Sequence, residues 1–220
     1  MNIRTLAAAV LALGLSACAA DYSAVAIYAI CAPPAPDSAG GGCLYPATCD
    51  ATFAGTPLLD ATTAQVDFRL PFQINNTLEN NANQATGLVN TNDAFIQSFD
   101  VTYAGASLEP WTVSTAITVP AGGSSGALIP LIPAQYFASL VPPGSSTLNL
   151  VLSVRGHGVL GSQSSISTAW FQVPVRVCAG CLDVNFCPAG EVFVTSCPPP
   201  GPGATSPGQS ASVLCEAVAP

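Results

Sequence analysis

Nine cysteines, one histidine and two glycine-rich motifs are the residues of this chain whose types and spacing could do chemistry. Cys178-Ala179-Gly180-Cys181 has the C-x-x-C spacing that serves a redox pair, a zinc knuckle or a plain structural bridge. No βαβ pattern surrounds it, so a thioredoxin-like setting is missing and a structural disulfide is the expectation. Gly122-Gly123-Ser124-Ser125-Gly126 matches the G-x-S-x-G of serine hydrolases, which needs a strand, a strained turn and then a helix. Pro130 and Pro133 follow too closely for that helix. No acid lies between Glu109 and Asp183, so the Ser, acid, His order also fails, and a glycine-serine turn is expected. Gly156-His157-Gly158-Val159-Leu160-Gly161 matches G-x-G-x-x-G, but no amphipathic helix follows to face a pyrophosphate. It reads as a hairpin connection whose glycines supply positive φ. His157, the only histidine, is then an exposed loop imidazole, and a multi-histidine metal site is excluded. The asparagines between Glu79 and Asp93 offer oxygens to calcium without the D-x-[DN]-x-[DN]-G spacing, so a solvated loop is expected. Asp67 and Asp100, the carboxylates a polymer hydrolase could pair, alternate onto outward strand faces. No catalytic residue, cofactor or metal ligand is therefore expected; a hydrolase, or metal capture by the cysteine-rich end, is the alternative.

The elements that must position these residues begin with a leader. Met1 to Arg4 forms a positive start and Thr5 to Leu15 an apolar run too short to span a bilayer. The Leu15-Ser16-Ala17-Cys18 that follows resembles the lipobox of bacterial lipoproteins. That resemblance implies a signal peptide over 1–17, a diacylglyceryl group on the Cys18 thiol, cleavage before Cys18 and acylation of the new amine. One acyl chain anchors only marginally, whereas two or three hold durably. Ala19 stands where retention in the inner membrane would favour Asp, so the resemblance implies the outer membrane.

The mature chain carries Arg69, Arg155 and Arg176 as its only cations and no lysine, against twelve acids. A nucleic-acid partner is excluded, because phosphate neutralisation needs a basic patch. Low charge with abundant Ala, Ser, Thr, Gly and Pro fits a β-rich exported domain. Thiols outside the cytoplasm tend to end as disulfides. With Cys18 lipidated, the remaining cysteines fall into two odd groups: Cys31, Cys43 and Cys49, then Cys178, Cys181, Cys187, Cys197 and Cys215. If all eight pair within the chain, at least one bridge joins beginning to end and clamps the N-terminal segment onto the C-terminal one.

Between the clusters, period-two alternation marks strands. Val66, Phe68, Leu70, Phe72 and Ile74 share a face; so do Phe99, Val101 and Tyr103; Trp111, Val113, Ile117 and Val119; Leu148, Leu150, Leu152 and Val154; and Phe171, Val173, Val175 and Val177. Ser23 to Ile30 is a further candidate. Pro174 suggests an edge or a bulge. A short helix is expected near Ala134 to Leu140, and Asn75 to Asp93 reads as a long exposed loop or loose hairpin. Strands apolar on one face imply two packed sheets: an all-β, immunoglobulin-like antiparallel β-sandwich over 63–177. It is preceded by an N-terminal segment, 18–62, with one strand and three cysteines. After it comes a disulfide-stapled, loop-rich segment, 178–220, in which regular structure fades.

Several segments together resemble a group of secreted lipoproteins typical of myxobacteria and neighbouring Gram-negative lineages. They are the lipobox, Asn76-Thr77-Leu78 with Asn80, Asn90-Thr91-Asn92-Asp93-Ala94, Val119-Pro120-Ala121-Gly122-Gly123, Val177-Cys178-Ala179-Gly180-Cys181-Leu182, Cys187-Pro188 and Cys197-Pro198. The resemblance implies an envelope lipoprotein built on a β-sandwich. The functional expectation is a non-catalytic structural or interaction module, membrane-bound through its lipid, with an envelope protein or polysaccharide as partner. Full pairing of the eight cysteines makes the oxidised chain about eight hydrogens lighter than the reduced one, which intact mass under non-reducing conditions checks.

Overall fold

The computed structural model describes residues 23–32, 49, 52–53, 55–62, 66–83, 85–141 and 147–181, and the backbone of 191–195 and 213–217. The fold is all-β, with two sheets facing each other across one core. The first holds three strands in the order β1 (Val25–Ile30), β3 (Phe68–Asn76), β6 (Ser124–Ile132). The second runs β2 (Leu58–Asp60), β9 (Phe171–Cys178), β7 (Leu148–Leu160), β4 (Ala94–Ala104), β5 (Trp111–Val119), with β8 (Ser165–Ser167) also paired to β7. These pairs are antiparallel except β2 with β9, where Leu58, Leu59 and Asp60 run parallel to Arg176, Val177 and Cys178. β1 and β2 come from the 18–62 segment, so that segment supplies one strand to each sheet. A separate ribbon pairs β10 (Glu191–Thr195) with β11 (Val213–Ala217), so regular structure returns after Val177, contrary to expectation.

The alternation read from sequence faces inward as expected. Phe68, Leu70, Phe72 and Ile74 of β3 are buried against Phe99 and Val101 of β4, Leu150, Leu152 and Val154 of β7, and Val173, Val175 and Val177 of β9. Each such side chain stabilises by roughly 1.5–3 kcal/mol on burial. Phe72 and Phe171 meet edge to face at 5.8 Å, joining the sheets. Val66, counted on this face, is exposed, because β3 begins only at Phe68. β4 is longer than its visible alternation: a bulge between Ile96 and Ser98 shifts the parity, so Ala94 and Ile96 point inward with Phe99 and Val101.

Pro174 sits at an edge, as anticipated. The Arg176 N–H donates to Pro57 O, so the same side of β9 two residues earlier lies beyond the end of β2, where no donor is needed. Pro130 occupies β6, the outer strand of the three-stranded sheet. The expected helix is a 3-10 turn, Ala134–Tyr136, running into α1 (Phe137–Leu140), with the Ala134 N–H bonded to Asp67 Oδ1 at 3.0 Å. Tyr103 packs edge to face on Tyr136 and donates its O–H to Leu131 O at 2.8 Å. Burial first, and the neighbouring Tyr136 second, raise the Tyr103 pKa, so the phenol keeps its donor.

The G-x-G-x-x-G segment does not form the expected turn. Gly156, His157 and Gly158 lie inside β7, and the positive φ in the following turn belongs to Gln163 at 67°. The glycine is needed for close approach instead: a Cβ on Gly158 would sit 2.0 Å from Phe95 O, where β7 passes the β4 bulge. Gly158→Ala is therefore expected to destabilise by about 3 kcal/mol, lowering the urea midpoint at unchanged slope.

Candidate functional site

One end of the sandwich carries a shallow groove of about 590 Å³ lined by Gln73, Asn75, Asn76, Thr77, Gly122, Gly123 and Ser124. β3 brings Gln73 and Asn75 onto the outer sheet face, and Gln73 Nε2 donates to Asn75 Oδ1 at 2.9 Å. The turn after β5 supplies the opposite wall, with Gly122 at φ 67°, a conformation that favours glycine. This is the glycine-serine turn anticipated for the G-x-S-x-G motif, and Ser124 opens β6 with no helix behind it. Every lining side chain is uncharged. Tyr28, 63% exposed, stands on β1 opposite the Gln73–Ile74 step.

Asn76 is the anchor of this end. It is buried at the last position of β3, and its Nδ2 donates to Asn92 O at 2.8 Å and Val119 O at 3.2 Å. Its Oδ1 accepts the Leu78 N–H at 3.1 Å. One amide thus ties β3, the segment before β4 and the end of β5. The loop it anchors is ordered by its own side chains. Asn80, Asn83 and Asn90 each accept a backbone N–H two residues on, the Asx-turn pattern. Asn81 exchanges two bonds with Thr91, and Asp93 Oδ1 accepts the Ala121 N–H. Asn83 and Leu88 form an isolated bridge, so a small hairpin does exist within the loop. Side-chain oxygens of Asn80, Asn81, Asn83, Asn90 and Asp93, among those that suggested calcium, face backbone donors.

On the outer face of the larger sheet, His157 is not an exposed loop residue. Strand β7 places its Nδ1 2.9 Å from Ser167 Oγ and its Nε2 2.9 Å from Asp100 Oδ2, while Thr112 Oγ1 donates to Asp100 Oδ1 at 2.8 Å. Acid, imidazole and hydroxyl are in line across β4, β7 and β8. Register explains it: Ser98 opposes His157 and Asp100 opposes Arg155, so Asp100 and His157 are diagonal neighbours. The side chains of His157 and Asp100 are 35% and 42% exposed, and such a pair is worth about 0–1 kcal/mol. Beside them Arg155 lies over the Trp170 ring at 5.7 Å and donates Nε to Thr168 O at 3.1 Å. Sequence reasoning missed this cluster because the glycines around His157 mimic a turn. Asp67 and Asp100 are not brought together: Asp67 precedes β3 of one sheet and Asp100 lies in β4 of the other.

Among the described residues two bridges are formed, Cys31–Cys49 and Cys178–Cys181. Each is local, so neither is the end-to-end clamp expected from the odd groups. If all eight cysteines pair, Cys43 is left for Cys187, Cys197 or Cys215. Cys43, Cys187 and Cys197 lie outside the described residues, as does the lipidation candidate Cys18, while Cys215 is described by its backbone in β11 opposite Phe193. By the chain-entropy relation the Cys31–Cys49 ring stabilises by about 3 kcal/mol and the shorter one by about 2 kcal/mol. A noncovalent junction holds the second bridge: the Ala61 N–H donates to Cys178 O at 3.0 Å, and the Gly180 N–H to Asp60 Oδ1 at 2.9 Å. Asp60 is fully buried and also accepts the Thr62 N–H and O–H. A carboxylate oxygen of Asp60 and the sulfurs of Cys178 and Cys181 lie within 4.8 Å of one another. Metal binding there needs free thiolates, and the sulfurs are bonded to each other.

Comparison with protein-family models, curated proteins and solved structures finds no match. The groove end rests on one buried amide, which makes it testable. Asn76→Leu leaves two carbonyls and one N–H without that partner, with an expected loss of about 2 kcal/mol. Exchange of the Leu78 amide should quicken well beyond that of the β4 and β7 amides, as hydrogen exchange read by NMR would check.

Proposed function

We propose that the chain is an outer-membrane-anchored bacterial lipoprotein, held by acyl chains on Cys18, whose sandwich is a non-catalytic structural or interaction module of the cell envelope. The observation that carries this reading is Leu15-Ser16-Ala17-Cys18 behind a basic start and a short apolar run. The paired Cys31–Cys49 and Cys178–Cys181 support an oxidising compartment. Among the described residues no helix is long and apolar enough to cross a membrane.

Strand order supports an immunoglobulin-like topology. β1, β3 and β6 correspond to A, B and E of one sheet, and β4, β7 and β9 to C, F and G of the other. The fold departs from the constant type where β5 joins β4 rather than the edge beyond β6. Loops at the end of such a sandwich are its usual recognition sites. The groove of amides and hydroxyls with Tyr28 nearby supports an uncharged polysaccharide as partner, since polar groups fix hydroxyls and an aromatic face covers a sugar ring.

A hydrolase of extracellular polymers is the second reading, favoured by the Asp100–His157–Ser167 alignment. Growth with labelled palmitate distinguishes the address. The native chain takes up label and fractionates with the outer membrane, whereas Cys18→Ala does neither; label retained in the variant would overturn the anchor. Covalent capture of Ser167 by a fluorophosphonate probe would move the assignment to the hydrolase.

A further inference from the structure

Cys178 and Cys181 sit unequally in the fold. Cys178 ends β9 and is 3% exposed, whereas Cys181 lies beyond the Gly180 turn and is only partly buried. Thiol–disulfide exchange requires one accessible sulfur to be attacked and another to leave. In this bridge Cys181 is the less buried partner and Cys178 the more buried one. Its buried sulfur also has a resting place once the bond is open: Sγ of Cys178 is 3.6 Å from Leu59 O, where a thiol S–H would donate.

Nor does the turn need the bridge to keep its shape. The Gly180 N–H is held by Asp60 Oδ1 and by Thr62 Oγ1 at 3.0 Å, and Cys178, two residues earlier, is fixed opposite Asp60 by the parallel β2–β9 register. Gly180 itself has φ 68°, which suits the turn without strain. The two sulfurs therefore stay side by side when reduced, so the bond can close again. As a staple, this short ring constrains the unfolded chain less than Cys31–Cys49 does.

We infer that Cys178 and Cys181 form a reversible thiol–disulfide exchange centre that accepts two electrons from external thiols, with Cys181 the sulfur attacked. In the first step an external thiolate bonds to Cys181 Sγ and the Cys178–Cys181 bond breaks. Cys178 leaves as thiolate, takes a proton and turns its S–H to Leu59 O. A second external thiolate then attacks the external sulfur of the mixed disulfide and releases Cys181, which is protonated in turn. Two thiols have become one disulfide, and the protein has gained two electrons and two protons. The partner class is a small thiol or a dithiol protein of the same compartment.

The test uses the full chain in graded mixtures of reduced and oxidised glutathione, followed by acid quenching, alkylation and peptide mapping. The Cys178–Cys181 peptide is expected to open at a reduced-to-oxidised ratio at least about tenfold lower than Cys31–Cys49, with near-UV circular dichroism unchanged. Cys178→Ser should retain glutathione on Cys181, while Cys181→Ser should capture at least about tenfold less on the buried Cys178. Opening of both bridges together with loss of the dichroism signal, or equal capture by the two variants, would overturn the inference. Should either variant fail to fold, the graded series on the unaltered chain decides alone.

Discussion

Burial of alternating apolar faces between two sheets is the interaction on which the rest of this molecule depends. Cations are few and the described helical structure is one short connection, so stability rests on side chains such as Phe68, Phe72, Phe99 and Leu152 leaving water together. A layer of this kind excludes water only if the polar backbone at its margins is satisfied. Among the described residues, three polar side chains are buried, Asp60, Asn76 and Thr168, and each stands where strand pairing stops. Asp60 closes β2 onto the C-x-x-C turn, and Asn76 closes β3 onto two neighbouring segments. Thr168 fills the gap between β8 and β9, its Oγ1 accepting the Gly156 N–H at 2.9 Å and donating to Ala169 O. Leaving one such group unpaired costs about 1–3 kcal/mol, so these residues decide where the core ends.

This placement separates two kinds of surface. The groove hangs from Asn76 and the exchange turn from Asp60, so each is fixed to the core by one buried polar side chain. The Asp100–His157–Ser167 alignment lies on an open sheet face and is set by strand register and by hydrogen bonds among partly exposed side chains. Chemistry at the ends of the sandwich is thus tied to stability, whereas chemistry on its face is free to vary with little effect on the core.

Much of the layer was legible in the sequence, because inward residues of β3, β7 and β9 alternate without interruption. Where alternation breaks, legibility fails for a physical reason. The bulge in β4 reverses parity and hid Ala94 and Ile96, and β6 was masked by a glycine-serine motif although Ala127, Ile129 and Leu131 keep period two. β2 is three residues long and parallel, so neither a turn nor a pattern announces it. The His157 cluster was illegible because glycine at a close strand crossing looks the same, on paper, as glycine in a turn. Asn76 was read as part of a resemblance and a polar loop; that it is buried follows only from where β3 ends.

The cysteines show the limit of counting. Parity demands a long-range bridge if all eight pair, yet both described bridges are local, and a local ring constrains the unfolded chain least. Among the described residues, the N-terminal segment is joined to the end of β9 by the hydrogen bonds of the parallel β2–β9 junction. Because that junction holds the turn by itself, the Cys178–Cys181 bond beside it adds only the roughly 2 kcal/mol of a short ring. A bond with a small structural share, a less buried sulfur at Cys181 and a ready acceptor for Cys178 is free to open and close with the thiols around it.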